Sequence, residues 1–101
     1  MNSMKHPNPD KRTQMQRVLA LLADHGTLTI KSSWGGDEIT VYNMTEEHKV
    51  REYVFYALAN RYLIKEHRQW LSWDDGHEDV IEHEDWIITP KGLKALKGGT
   101  R

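Results

Sequence analysis

The sequence predicts an α+β fold with three helices and a small antiparallel sheet, and two patterns support this prediction. Apolar residues recur at helical spacing in residues 11–25 and 45–61. Apolar and polar residues alternate in residues 27–42 and 63–88, and each of these segments contains a glycine turn near its middle. We therefore expect two helices that alternate with two β-hairpins, followed by a short third helix at residues 90–97.

Length and charge limit what this chain can be. Its 101 residues are enough for one hydrophobic core, so we expect a flexible tail over residues 1–9 and a single domain over residues 10–101. The 14 basic and 15 acidic side chains leave a formal charge of −1, so the total charge does not favour nucleic acid. Cysteine is absent, which excludes disulfides and thiolate metal sites. No apolar stretch approaches the ~20 residues that span a bilayer, and we expect a cytoplasmic protein without membrane contact.

The first helix is predicted over residues 11–25. Asp10 is placed to cap its first turn, and Gly26 stands where a left-handed residue commonly ends a helix. The apolar residues of this segment lie three or four positions apart and therefore form one stripe. The members of the stripe are Met15, Val18, Leu19 and Leu22.

The two hairpins are predicted from alternation and turn signals. In the first, two β-branched runs within residues 27–42 flank a Gly-Gly turn. In the second, the strands within residues 63–88 flank an Asp-Gly turn. Because successive strand residues point to opposite faces, Trp70 and Trp73 should lie on opposite faces, and we expect at least one of them to be exposed.

The second helix is predicted over residues 45–61. Asn43 and Thr45 are both candidate N-caps, because their side-chain oxygens can accept hydrogen bonds from the first helical turn. At about 100° per residue, one broad arc of this segment is apolar and is expected to be buried. The arc contains Val50, Tyr53, Val54, Phe55, Ala57, Leu58 and Tyr62.

The third helix is predicted to begin at Thr89 and Pro90, because threonine is a good cap and proline suits the first helical position. The core is expected where the apolar faces of the helices and strands meet. We predict that Val18, Leu22, Val54, Leu58, Ile88 and Leu93 are buried together.

Two stretches of the chain resemble winged-helix domains of bacterial and phage regulators. Residues 17–29 look like the first helix and first strand of that family, and residues 86–96 look like its closing strand and C-terminal helix. The sequence departs from the family over residues 31–44, which favour a hairpin where the family has a short helix. The resemblance therefore implies a winged-helix-like fold with an altered helix-turn-helix.

The resemblance implies a transcriptional regulator that binds duplex DNA through the helix at residues 45–61. Side chains along one exposed ridge of such a helix contact base edges or phosphates. Considered without the resemblance, the same ridge is an ordinary solvated face in which Lys49 and Glu52 form an i, i+3 pair. The residues expected to contact DNA are Lys49, Glu52, Tyr56 and Asn60 on the helix, with Arg17 and Lys91 on neighbouring elements.

The second hairpin carries charge that argues against DNA at its turn. Residues 71–86 include seven acids and no lysine or arginine, and phosphates would repel them. This run is a solvated loop that keeps a sheet edge soluble, a mimic of DNA's charge, or a contact for a basic protein. The last reading describes a protein-binding module similar to small phage or mobile-element proteins that inhibit host defence, and an exposed tryptophan would also suit a homodimer. The expected contacts are Asp74, Asp75, Glu78, Asp79 and Trp73.

Neither catalysis nor a metal site is predicted. The sequence lacks a Gly-rich phosphate loop and a G-x-S-x-G nucleophile motif. His77 and His83 lie among acids, but metal-binding spacing such as H-E-x-x-H is absent. We therefore expect no enzymatic activity, no cofactor and no bound metal.

Overall fold

The computed structural model describes residues 11–74, 76 and 79–98, and the predicted tail over residues 1–9 lies outside them. Within this part of the chain, three helices and a five-stranded antiparallel sheet form an α+β fold. The helices are α1 (Lys11–Ala23), α2 (Glu52–Asn60) and α3 (Pro90–Gly98). The strands are β1 (Thr27–Ser33), β2 (Gly36–Tyr42), β3 (Glu47–Lys49), β4 (Ile64–Asp74) and β5 (Asp79–Ile88).

The strands are ordered β3-β2-β1-β5-β4 across the sheet, so the two hairpins lie side by side. Both predicted hairpins are confirmed. Ser33 pairs with Gly36 across the first turn, and Gly36 has a φ of 122°, which favours glycine. The helices pack on one face of the sheet, where Leu28 and Val41 are buried. None of the three described helices packs on the other face, which we call the helix-free face. It carries polar side chains such as Thr29 and Thr40, which are the strand neighbours of Leu28 and Val41.

The β4–β5 hairpin is longer than the rest of the sheet. Strand β1 pairs with β5 from Trp86 to Glu82, and beyond Glu82 the β4–β5 hairpin continues past the end of β1. The register shifts between Glu66 and Arg68, which inserts a bulge into β4. The far part of this hairpin therefore projects from the sheet.

The prediction that the second helix spans residues 45–61 is wrong, because α2 begins only at Glu52. The predicted N-cap role of Asn43 and Thr45 is also wrong. The Asn43 side-chain oxygen accepts hydrogen bonds from the backbone N–H groups of Thr45 (2.9 Å) and Glu46 (2.8 Å), and the Asn43 N–H donates to the Glu46 carbonyl (2.9 Å). These bonds close a tight turn instead of a helix. The chain returns from this turn as β3, antiparallel to β2.

The end of α1 differs from the prediction in the role of one glycine. The left-handed position belongs to His25, with a φ of 59°, and not to Gly26. Gly26 is needed for a different reason, because a Cβ there would collide with the carbonyl oxygens of Leu21 and Tyr42. The predicted apolar stripe is confirmed, since all its members are buried: Met15, Val18, Leu19 and Leu22.

The core combines residues from α1, α2 and the sheet. The predicted burial is confirmed for Val18, Leu22, Val54 and Leu58, and Ile88 is half-buried against them. The prediction for Leu93 is wrong, because that side chain is 40% exposed. Helix α3 instead approaches the sheet through Gly92, where a Cβ would collide with the Leu63 carbonyl and Ile88. Ala95 and Leu96 continue the buried side of the helix.

Two tyrosines of the arc predicted for the second helix are also exposed. Tyr53 is 45% exposed and Tyr62 is 73% exposed, whereas Val54 and Leu58 are buried as expected. Tyr62 lies after α2 with a φ of 60°, so it has left the helical periodicity on which the prediction depended. The predicted cap of α3 is confirmed, because the Gly92 N–H donates to the Thr89 hydroxyl (2.9 Å).

Candidate binding surfaces

A groove of about 350 Å³ opens where α1, β3 and the start of α2 meet. Arg17, His48, Lys49 and Arg51 line it, and the Glu46 carboxylate lies 3.0 Å from His48 Nε2. We call it the basic groove. It brings together two of the residues expected to contact DNA, Arg17 and Lys49, which are 32 positions apart in the sequence (49 minus 17). Such a groove can accept an anion such as a phosphate group.

The two arginines of the basic groove differ from Lys49 in their ion pairing. Arg17 and Arg51 are exposed, and neither forms an ion pair with another described residue. Lys49 differs, because β3 register places it opposite Thr40 on the helix-free face, where its ammonium lies 3.4 Å from the Glu38 carboxylate. That pair is solvent-exposed and therefore contributes little stability. Lys49 is thus a marginal member of the groove.

The exposed ridge of α2 starts beside this groove. Glu52, Tyr56 and Asn60 are exposed and four positions apart, so they lie along one line of the helix. Lys49 was expected on the same ridge, and this is wrong because it lies in β3. Tyr53 borders the groove and accepts a hydrogen bond from the Gln14 amide at 3.0 Å.

A further cation lies near the other end of α2. Lys91, in the first turn of α3, has its ammonium 5.7 Å from the ring centroid of Tyr62. Tyr62 follows Asn60 by two residues. Arg17 and Arg51 therefore line the groove at the start of α2, and Lys91 lies beside Tyr62, which follows the end of the helix.

The projecting part of the second hairpin has an apolar surface. Leu71, Trp73 and Val80 are 67%, 59% and 42% exposed. Trp73 pairs with Val80 across the hairpin, and Leu71 lies two residues along β4 on the same face. We call these three residues the hairpin patch. The prediction that Trp70 or Trp73 is exposed is confirmed, since both are, at 39% and 59%.

Acids surround the hairpin patch in the sequence. Glu82 pairs with Leu71 across the hairpin and is exposed. Of the other expected contacts, Asp75 and Glu78 lie outside the described residues, as does His77, and only the backbone of Asp74 and Asp79 is described. The sequence alone therefore places these four acids next to the patch.

One acid of this run, Asp85, is a structural residue and not a surface charge. Its carboxylate is buried, at 3% exposure, on the helix-free face of the sheet. It accepts hydrogen bonds from the Thr29 hydroxyl (2.9 Å), the Arg68 guanidinium (2.7 Å) and the Trp70 indole N–H (3.2 Å). The sequence analysis missed this network, because its members come from β1, β4 and β5 and meet only through the register and the bulge. Strand alternation was the one signal that pointed to this face.

The network keeps Asp85 ionised. Burial alone would raise the pKa of the Asp85 carboxyl, but the hydrogen bonds from Arg68, Thr29 and Trp70 and the charge of Arg68 outweigh it and lower the pKa. The carboxylate therefore ties β1 to β5 and β4 at the base of the hairpin.

His83 belongs to the same face. Its ring stacks on Trp70 with centroids 3.7 Å apart and an interplanar angle of 6°, and its Nε2 lies 2.7 Å from the Ser72 hydroxyl. Burial and the charge of Lys31 lower the pKa of His83, while the Asp85 carboxylate opposes this shift. The described residues contain no group of three His, Cys, Asp or Glu side chains placed to hold a metal ion.

The basic groove and the hairpin patch lie at opposite corners of the sheet. Strand β3, beside the groove, is one edge and β4 is the other edge. Strand β3 also pairs with Thr40–Tyr42, at the end of the first hairpin that is far from its turn, whereas the second hairpin projects past the opposite end. The two surfaces therefore do not overlap.

Comparison of this chain with known protein families, with curated proteins and with solved structures gives no significant match. Among the described residues, no helix has the length and apolar character needed to cross a membrane.

Proposed function

We propose that this protein is a non-enzymatic DNA-binding protein, with the basic groove and the exposed ridge of α2 as its contact surface and a regulator of transcription as its role. The observation that carries the proposal is the meeting of Arg17 and Arg51 in one groove at the start of that ridge, where neither forms an ion pair with another described residue. A third cation, Lys91, lies beside Tyr62, which follows the end of α2. The resemblance of residues 17–29 and 86–96 to winged-helix regulators supports the same function.

The dimensions of the ridge suit a duplex. An α-helix such as α2 is about 10–12 Å across with its side chains, which matches the ~12 Å width of the major groove. In this arrangement Arg17, Arg51 and Lys91 contact phosphates on either side of the groove, while Tyr56 and Asn60 face base edges. Glu52 fits the same scheme, because a carboxylate accepts a hydrogen bond from the cytosine amino group.

The acidic hairpin does not oppose this proposal, because it projects from the other corner of the sheet. Across five strands spaced by ~4.8 Å, the two edges are about 19 Å apart. The Debye length at 0.1 M salt is ~10 Å, so repulsion between the hairpin acids and bound DNA is largely screened.

The test is a fluorescence anisotropy titration of a labelled random-sequence duplex at about 50 and 200 mM salt, where phosphate contacts give a steep loss of affinity. Arg17→Ala and Arg51→Ala should each weaken binding on every sequence and lower the salt slope by about one. Lys49→Ala should have a smaller effect, because its ammonium faces Glu38. The matched control is Lys65→Ala, an exposed lysine of β4, which should bind as the parent does.

The outcome against the proposal is a parent protein with no salt-dependent duplex binding, or equal losses for Lys65→Ala and Arg51→Ala. On a selected high-affinity sequence, Asn60→Ala should reduce discrimination at one base pair by ~1–3 kcal/mol if its contact is bidentate. Single-stranded DNA of the same sequence serves as the competitor and should bind more weakly than the duplex.

A further inference from the structure

The hairpin patch leaves three apolar side chains exposed to solvent. Leu71, Trp73 and Val80 lie on one face of the projecting hairpin, and none of them is covered by α1, α2 or α3. On the opposite face of the same strands, Trp70 is stacked on His83 and Ser72 is hydrogen-bonded to it. That second face is half-buried by these contacts, whereas Leu71, Trp73 and Val80 remain 67%, 59% and 42% exposed. An exposed cluster of this kind is characteristic of a protein interaction site.

The negative charge around the patch indicates which kind of partner it can bind. From Leu71 to Trp86 the chain has seven acids and no lysine or arginine, and among the described side chains Arg68 is paired with Asp85 alone. A second copy of this hairpin would bring two strongly acidic segments together, which like-charge repulsion opposes. A partner surface with an apolar pocket and a basic rim would complement both the apolar side chains and the negative charge of the hairpin end.

We infer that the hairpin patch docks a protein partner through an apolar pocket that is bordered by lysine or arginine side chains. Trp73 is the anchor of this contact, because a large aromatic side chain with its neighbours Leu71 and Val80 forms a compact centre of the kind that dominates interface energies. The acids around the patch orient the partner and accelerate association. This surface is separate from the basic groove, so the inference does not depend on DNA binding.

The experiment measures binding of two labelled amphipathic helical peptides to the whole protein. Both peptides have the same leucine face, and the polar face is all lysine in one and all glutamate in the other. We expect the lysine peptide to bind at least about tenfold more tightly. Trp73→Ala should weaken its binding by about tenfold or more, and Leu71→Ser should weaken it in the same direction, although neither variant changes the charge.

The matched control is Trp34→Ala. Trp34 is 87% exposed in the turn of the first hairpin, so its removal deletes a tryptophan that is more accessible than Trp73 and should leave peptide binding within about twofold. Equal losses for Trp34→Ala and Trp73→Ala would overturn the inference. Binding of the lysine peptide that Trp73→Ala and Leu71→Ser leave unchanged would also overturn it, because charge alone would then account for the association.

Sedimentation equilibrium of the protein alone supplies the remaining outcome. The acidic surroundings of the patch predict a monomer at this surface. A concentration-dependent dimer that Trp73→Ala abolishes would assign the patch to a second copy of the chain and would overturn the inference of a basic partner.

Discussion

The basic groove and the hairpin patch share one sheet but differ in charge, in apolar exposure and in how the sequence builds them. The groove brings Arg17 of α1 together with His48 and Arg51, which lie 31 and 34 positions further along the sequence (48 minus 17 and 51 minus 17). The hairpin patch and its acids come from one continuous segment. Their separation explains how a chain with a formal charge of −1 can present a cationic surface at one corner and an anionic surface at the other.

The difference between the two corners teaches that total charge is a poor guide to the partners of a small domain. A near-neutral sum did not favour nucleic acid, yet Arg17 and Arg51 line one groove and neither forms an ion pair with another described residue. Electrostatic recognition depends on the local arrangement of charges within a Debye length. The two surfaces can therefore be tested independently, and the following predictions separate what they share from what each has alone.

The largest effect is expected in the core that supports both corners. Leu58 is fully buried between α1, α2 and the sheet, so Leu58→Ala should lower the free energy of unfolding by ~2–5 kcal/mol. Chemical denaturation measures this loss. A loss below about 1 kcal/mol would show that α2 is not packed as described, and with it that the ridge of α2 faces elsewhere.

A smaller and more local effect is expected at the base of the hairpin. Asp85→Ala removes the shared acceptor of Thr29, Arg68 and Trp70 and should cost about 1.5–3 kcal/mol. Amide hydrogen exchange should accelerate in β4 and β5 and stay unchanged in β3. Asp37→Ala, at an exposed aspartate of the first hairpin, is the matched control. Equal acceleration at both edges of the sheet would contradict a network confined to the hairpin side.

The pH dependence of the free energy of unfolding should depend on His83, which lies on the hairpin side of the sheet. Because the pKa of His83 is lowered below 6.5, the unfolded chain binds this proton first, so its contribution to stability is complete above pH ~6.5 and is lost as pH falls through the lowered pKa. The slope is at most ~1.4 kcal/mol per pH unit. His83→Gln cannot titrate and should flatten the free energy of unfolding between about pH 7 and 5; an unchanged slope would contradict the assignment.

The lowered pKa of Asp85 acts at lower pH. Its contribution is complete above pH ~4 and is lost as pH falls through the folded value. The titration of Asp85 therefore does not contribute to the change in stability that is expected from His83 between about pH 7 and 5.

The smallest effect is expected from the hairpin acids on DNA binding. Asn and Gln replacements of Asp74, Asp75, Glu78 and Asp79 should raise duplex affinity by less than about threefold at low salt, because strands β4 and β5, which carry the hairpin, project from the corner of the sheet opposite the groove and salt screens charges at that separation. The rise should vanish at higher salt. A tenfold rise in the anisotropy titration would instead place the hairpin end against the DNA.

The sequence predicted the elements with strong local signals. The periodic stripe of α1, the alternation in both hairpins and the cap at Thr89 were confirmed, because each depends on residues close together in the chain. The start of α2 was missed because Asn43 forms a side-chain turn, which uses the same oxygen that an N-cap would use. Leu93 was misplaced because the close approach of Gly92 to Leu63 sets the rotation of α3.

The candidate sites were predictable only in part. Glu52, Tyr56 and Asn60 share an exposed ridge as expected, because helical spacing fixes it. That Arg17 and Arg51 line the same groove was not predictable, since this depends on the packing of α1 against the β3–α2 segment. The role of Asp85 was also hidden, because a buried carboxylate and a solvated one look the same in a run of acids.

The central claim is that DNA is bound at the basic corner alone, and backbone amide chemical shifts measured while a duplex is added test it most directly. The account predicts shifts at Arg17, at Arg51 and along Glu52–Asn60, with those of Leu71, Trp73 and Val80 unchanged at saturation. Shifts concentrated in the hairpin, or an unperturbed spectrum at low salt, would contradict it.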